Sequence, residues 1–375
     1  MKPKRTLSFL LAMVMVLSLL PVNLVSVSAT ETTEATEKNI TLGASALVGG
    51  QKSNVYFGTY QQSSLGNTEP TTGTEGVDWI KSDTATKKSQ GAYYSKDPIK
   101  WRVLSNNGAQ AFLLSDKNLD VVLYHEDYED VTWETSTMRS WLNGYKAKYN
   151  TGGKSGIDYS TGNAAFIGSA FSESEQKHIV NTSVVNDDNP RYNTDGGNNT
   201  TDKIFLLSIA EAKNTSYGFA DNTNSTYTRK SVNTAYVYGG GHIGTDRMDD
   251  VGEAGCWWLR SPGNFSSSAA YVGDNGYLYV HGDKVTNNFD AVRPAFNLNL
   301  SSVLFTSAAK GGKSSTAAGG GTAILKNADY SSISGNDGYK LTLKDENRKF
   351  AVSDKTDKTA HKGHGVKISY SGAEK

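Results

Sequence analysis

Disulfide bonding is excluded first. Cys256 is the only cysteine in 375 residues, so no intramolecular bridge can form and stability must come from a packed core. That cysteine stands beside Trp257 and Trp258 in an apolar run, where a buried, inert thiol is expected. Proline is scarce, at 7 residues against 38 glycines and 20 tyrosines, a balance that fits a turn-rich, β-dominated domain with many wet aromatic rings. Basic and acidic residues number 38 each, and no Lys/Arg cluster lies beyond the first few positions. Nucleic-acid binding, which needs a basic field, is therefore disfavoured. The sequence also lacks a solenoid-length repeat, a Ser/His/Asp signature, a phosphate loop and a nucleotide fingerprint.

What is present begins with a leader. Lys2, Lys4 and Arg5 precede an apolar run from Leu7 to Leu20, and Val27-Ser28-Ala29 supplies the small residues of a cleavage site. The run is shorter than the ~20 residues a membrane-spanning helix needs, and the acidic, Thr-rich stretch after it is no stop-transfer flank. Residues 1–29 thus read as a secretory signal peptide. Its removal takes three positive charges and leaves a net of three negative. No cysteine follows the cleavage point to accept a lipid. The expected location is extracellular, secreted or cell-wall-associated in a bacterium, with no membrane span once the leader is gone.

Residues 30–45 read as a flexible N-terminal segment and 46–306 as the main domain. Val55–Tyr60 is expected to be a strand, followed by a polar loop from Ser63 to Lys96. Ile99–Leu104 and Gln110–Leu114 then form a hairpin around Asn106-Asn107-Gly108. Met138, Trp141 and Leu142 share one face of a helix that ends at Asn143-Gly144. Ser172-x-x-Glu175 and Ser208-x-x-Glu211 are capping boxes that open two more short helices. Lys213 to Gly255 reads as a long Asn-, Thr-, Tyr- and Gly-rich loop, and loops of that length are usually functional or disordered. Tyrosine-rich strands follow, joined at Asn275-Gly276, a pair suited to two positive-φ positions. Residues 307–329 form a Gly/Ala/Ser-rich linker. Residues 330–375 hold three strand-like pieces of an immunoglobulin-like β-sandwich, too few to bury a core, and are expected to be truncated.

Several stretches carry a resemblance: Pro98–Leu104, Thr132–Ser136 with Arg139–Asn143, Ala170-Phe171-Ser172-x-x-Glu175, Trp257–Pro262 and Val292–Phe296. Together they resemble an uncharacterised secreted bacterial group, domain-of-unknown-function family six-two-seven-three, over roughly Val55 to Phe305. More remotely the order of elements is similar to the C-type-lectin-like fold, which also hosts formylglycine-generating enzymes. The resemblance implies an α+β, C-type-lectin-like domain with antiparallel hairpins and two or three short helices, and it supplies no ligand. The calcium-binding tripeptides of sugar-binding lectins are missing, and Asn287-Asn288-Phe289-Asp290 carries one carboxylate where calcium wants several. One cysteine cannot supply the thiol pair of the formylglycine enzymes. The six histidines, His361-x-x-His364 included, show no metal-ligand spacing on a helix.

No metal, cofactor or catalytic set is therefore expected. Arg260 and Arg293 lie in apolar strands and each needs a partner, with Glu134, Glu175 and Glu253 the candidate carboxylates. The adjacent acidic pairs, Asp249-Asp250 among them, create no cleft for acid–base hydrolysis. The candidate binding surface is aromatic: Tyr236 and Tyr238 in the long loop, Tyr271, Tyr277 and Tyr279 on the terminal hairpin, with Asp274 and Asn275 at its turn and His281 nearby. Tyrosine offers a flat apolar face and a hydroxyl at low entropic cost. The expected function is a non-catalytic module binding a glycan or protein ligand at the cell surface. A structural or adhesive spacer, whose tyrosines only pack, and a fold-related enzyme are the alternatives.

Overall fold

Alternating burial builds the main sheet. Within Tyr93–Asn106 the side chains of Ile99, Trp101 and Val103 are buried, while Lys100 and Arg102 are half-buried on the other face, the period-two pattern of a strand with one face on a core. The computed structural model describes residues 40–70, 79–81, 91–145, 159, 165–240, 253–309 and 337–344, with the short strands Val25–Val27, Ala351–Val352, Val366–Ile368 and Tyr370–Ser371. The expected leader apart from Val25–Val27, residues 241–252 of the expected long loop, the linker beyond Ala309 and His361-x-x-His364 lie outside the described residues.

The strands of the main sheet are β1 (Ile40–Leu42), β2 (Asn54–Gly66), β3 (Trp79–Lys81), β4 (Tyr93–Asn106) and β5 (Gln110–Ser115). Three short helices follow: α1 (Thr137–Asn143), α2 (Phe166–Ala170) and α3 (Glu173–Gln176). Next come the paired strands β6 (Thr182–Val184) and β7 (Thr200–Asp202), then β8 (Ile204–Phe205) and helix α4 (Ala235–Gly240). A separate antiparallel sheet holds β9 (Trp257–Pro262), β10 (Ser268–Val272) and β11 (Leu278–Lys284). The chain returns to the main sheet in β12 (Ala295–Asn299), β13 (Val303–Ala309) and β14 (Gly338–Leu343). Nine strands then lie in the order β1-β13-β14-β2-β4-β5-β12-β8, with β3 on β4. All pair antiparallel except β14, which runs parallel to β2. The protein is α+β and sheet-dominated.

The core lies between this sheet and the helices. Phe57 of β2, Trp101 of β4, Phe296 of β12 and Phe171 beyond α2 meet at ring separations of 4.7–6.1 Å. Each such buried ring contributes roughly 1.5–3 kcal/mol. Trp101 is fully buried, and its indole N–H donates to the Phe57 carbonyl at 2.8 Å. At Gly58 a Cβ would stand 2.6 Å from the Ala170 carbonyl and from the Phe171 ring. Only glycine lets β2 approach α2 so closely, and its φ of +69° suits the register shift there.

Local chemistry fixes the helix ends where the sequence places them. Ser136 caps α1, accepting from the Arg139 N–H, and Gly144 closes it in the left-handed region. Ser172 and Glu175 form the reciprocal capping box of α3. Ser208 and Glu211 exchange the same two bonds but open only a 3₁₀ turn, Glu211–Lys213.

Elsewhere the expectations need correction. The stretch from Ser63 to Lys96 is not simply a loop: β2 runs on to Gly66, β4 begins at Tyr93, and β3 pairs with β4. The end of β2 is exposed, with no core behind it to impose an apolar alternation. Tyr339–Leu343, expected in a separate segment over 330–375, lies in β14, between β13 and β2 of the main sheet. There it satisfies the edge of β2, whose backbone groups would otherwise lack partners. Ile40–Leu42, expected to be flexible, likewise pairs with β13. The expected loop from Lys213 onward is ordered over its described part, in 3₁₀ turns and α4. It is pinned by Arg229, which is fully buried and donates to the carbonyls of Gly276, Ala212, Ala220 and Asn224.

Candidate functional site

The terminal hairpin carries a ladder of rings. Tyr271 of β10 and Tyr279 of β11 are directly opposed in register, which sets side chains on the same face of a sheet. Their rings stack at 4.7 Å with 8° between planes. Tyr277, two residues before Tyr279, puts its ring 4.7 Å away at 58°. His281 closes the row, edge-on to Tyr279 at 5.5 Å and to Tyr271 at 6.4 Å. The three tyrosines are half-buried and His281 is exposed.

The turn beside the ladder has a different geometry from the one expected. Gly276 N–H bonds to the Gly273 carbonyl, so Asp274 and Asn275 are the central pair of the turn, and Gly273 N–H bonds to the Tyr277 carbonyl. Asn275 has an ordinary negative φ, and Gly276 alone is left-handed, at +78°. This is a three-residue hairpin loop with a glycine bulge. Asp274 and Asn275 are exposed, and their side chains accept from the N–H groups of Asn275 and Tyr277 respectively.

Tyr236 and Tyr238 belong to helix α4 and turn to different neighbours. The Tyr236 ring packs edge-on against Tyr60 and Tyr94, at 6.1 and 5.1 Å. Tyr238 packs on the small cluster of Val121, Val237 and Ala291. Among the expected binding residues the structure thus gathers Tyr271, Asp274, Asn275, Tyr277 and Tyr279, and it shows no ring contact from Tyr236 or Tyr238 to this ladder. Cys256 is half-buried rather than buried, because it precedes β9 at the margin of the small sheet, where its carbonyl accepts from Ala291.

Close to Tyr271 lies a clasp that the sequence did not single out. Asn287 donates its amide to Asp283 at 2.5 Å and to Asp290 at 3.4 Å. Asp290 is 1% exposed. Its burial, and after that the charge of Asp283, pushes its carboxyl well above the usual range. Burial likewise raises the Tyr271 hydroxyl, with Asp290 the next cause. A carboxyl raised in the folded state holds a proton that the unfolded chain has already lost. The stability it contributes is therefore present below the ordinary aspartate pKa and is lost as pH rises through the folded value. Asp290→Asn is expected to stabilise the protein at pH 7 by about 1–2 kcal/mol and to leave it little changed at pH 3.5. Urea unfolding at both pH values checks this, and equal effects at both would remove Asp290 as the titrating group.

Comparison with protein families gives one match, over residues 108–300, to the family described as "Domain of unknown function (DUF6273)". The chain belongs to this family. No curated protein and no solved structure matches it.

The DUF6273 segment begins and ends on neighbouring strands, with Gln110 of β5 opposite Asn299 of β12 and Leu300 N–H bonded to the Ala109 carbonyl. The match is shorter than the expected Val55 to Phe305 and leaves out Pro98–Leu104, and residues of the stretches inside it hold the segment together. Asp202, with a fully buried side chain, accepts from Trp133 Nε1 at 3.0 Å, Arg139 Nε at 2.8 Å, Thr200 Oγ1 at 2.6 Å and Tyr145 Oη at 3.2 Å. Asn143 joins α1 to the start of β8, donating to the Ile204 carbonyl and accepting from the N–H groups of Lys203 and Ile204. Arg260 pairs with Glu211, not with Glu134, Glu175 or Glu253, and also donates to the Leu206 and Val185 carbonyls. Arg293 is fully buried and has no carboxylate within ion-pair distance among the described residues. It donates to the carbonyls of Ser115 and Arg229 and lies 4.8 Å from the Trp257 ring. These arginines are structural ties, and the ladder is a half-exposed row of rings.

Proposed function

We propose that the protein is a secreted or cell-wall-associated bacterial binding module, non-catalytic and of C-type-lectin-like architecture, that recognises a ligand at the cell surface through its tyrosine ladder. The observation that carries this reading is the row Tyr277, Tyr279, Tyr271, His281 on one sheet face, bordered by the exposed Asp274-Asn275 turn. The pairing of β5 with β12 supports the architecture, since it closes the two ends of the family segment on each other. The leader-like sequence at residues 1–29 supports export.

Between a glycan and a protein ligand, the geometry favours a protein. Tyr271 and Tyr279 each give one ring face to the other, so fewer faces remain for stacking on sugar rings. Tyrosine edges and hydroxyls beside Asn, Asp and His resemble an antibody-like recognition surface in composition. The test is capture from an array of bacterial surface proteins and glycans by the purified chain and by Tyr277→Ala/Tyr279→Ala. The double variant is expected to lose at least ten-fold in capture while keeping its far-ultraviolet circular dichroism. Undiminished capture would remove the ladder as the site, and no capture by the parent chain would favour a spacer whose rings only pack.

A further inference from the structure

We propose that the cavity on the outer face of the main sheet is a second binding site, suited to a small hydroxylated carboxylate of the uronic-acid kind. The cavity measures about 610 Å³, within the range of small-molecule sites. It lies on the side of β2 and β4 away from the core and is bordered by the residues that lead into α4. Tyr56, Lys100 and Asp116 share its wall because their strands bring them side by side. Tyr56 opposes Lys100 in register, and Asp116 N–H bonds to the Lys100 carbonyl.

The hydrogen-bond ledger of this wall is lopsided. Each carboxylate has donors: Asp97 receives the hydroxyls of Ser63 and Ser95, Asp116 the Arg102 guanidinium at 2.7 Å, and Asp337 the Tyr56 hydroxyl at 3.0 Å. Burial pushes the Asp116 carboxyl up, but the charge and hydrogen bond of Arg102 outweigh it and hold that group low. The lysines are different. The ion pair of Lys100, with Asp337, is 3.7 Å long, beyond hydrogen-bond distance. Lys117 is exposed, and while its carbonyl accepts from the Ser115 hydroxyl, its ammonium group makes no hydrogen bond or ion pair among the described residues.

Two lysines whose ammonium groups keep unused donors therefore border a space whose acid groups are already engaged. Such a wall takes an acceptor-rich anion, and a carboxylate placed between two ammonium groups makes the strongest class of hydrogen bond available there. Ser64 and Thr234 border the same space and can bond ring hydroxyls. Pro98 and Leu119 supply apolar surface for a ring face.

The test titrates the full chain with D-glucuronate, D-glucose and acetate by isothermal calorimetry or ligand-observed NMR. Glucuronate is expected to bind at least ten-fold more tightly than either of the others. Lys100→Met and Lys117→Met should each weaken it five-fold or more, and Lys117, being exposed, can be replaced without risk to the fold. Tyr277→Ala/Tyr279→Ala should bind glucuronate normally, which separates this site from the ladder. Absence of glucuronate binding, glucose or acetate binding as tightly, or binding unchanged in both lysine variants overturns the proposal.

Discussion

Asp202→Ala is expected to destabilise the protein by about 3–5 kcal/mol, because it removes one member of a buried, hydrogen-bonded charge pair and leaves the other uncompensated. Arg139 is 13% exposed at its side chain and Asp202 is not exposed at all. The loss also leaves the indole N–H of Trp133, a residue 1% exposed, without its acceptor. Asp202→Asn should cost less, since an amide oxygen can still accept from one of the donors. The measurement is chemical denaturation of both variants against the parent. A cost below about 1 kcal/mol for the alanine variant would mean that Arg139 and Trp133 find other partners, and that the network is not what joins α1 to β7.

Gly276→Ala should be of similar size, about 2–4 kcal/mol, with a local consequence as well. A left-handed φ disfavours any side chain by about 1 kcal/mol or more. The larger cost is steric, because the new Cβ would stand 2.0 Å from the Thr226 carbonyl oxygen. Relief requires the hairpin to move away from the 223–229 segment, breaking the bonds from Leu278 N–H to Thr223 and from Arg229 Nε to Gly276. The stacked pair Tyr271–Tyr279 begins two residues from that turn, so the near-ultraviolet circular dichroism of the tyrosines should fall with stability. An alanine variant as stable as the parent and with an unchanged tyrosine signal would show that the turn can shift without disturbing the ladder.

Both residues show which features could be read before folding. Ser136, Gly144 and the Ser172/Glu175 pair act through hydrogen bonds spanning three or four residues, so their spacing is visible in the chain. The position of the Asn275-Gly276 turn was equally visible. Its type was not, because a two-residue and a three-residue loop share the same Asn-Gly letters and only the pairing of Val272 with Leu278 decides between them. The family was legible from the Trp- and Arg-containing stretches. Their partners were not, since Arg260 finds Glu211 across 49 positions and Asp202 finds Trp133 across 69. Tyr236 and Tyr238 looked like loop rings because the short helix that holds them ends in glycines, and that helix directs Tyr236 onto the sheet. The cavity was illegible because its wall is assembled over long range: sheet order brings Tyr56, Lys100 and Asp337 together, and a bridge to Asn118 adds Asn233.

The neighbouring positions of Gln110 and Asn299 mean that the chain enters and leaves the family segment at one place. Entry and exit lie one strand spacing apart, the arrangement under which a domain can be inserted into a surface hairpin of another protein without stretching its host. It also makes a permuted chain feasible, with a short bridge joining 110 to 299 and new ends opened in an exposed turn. Here the host is the remainder of the same sheet, joined to the segment along the β4–β5 pair and through the rings of Phe57, Trp101, Phe171 and Phe296.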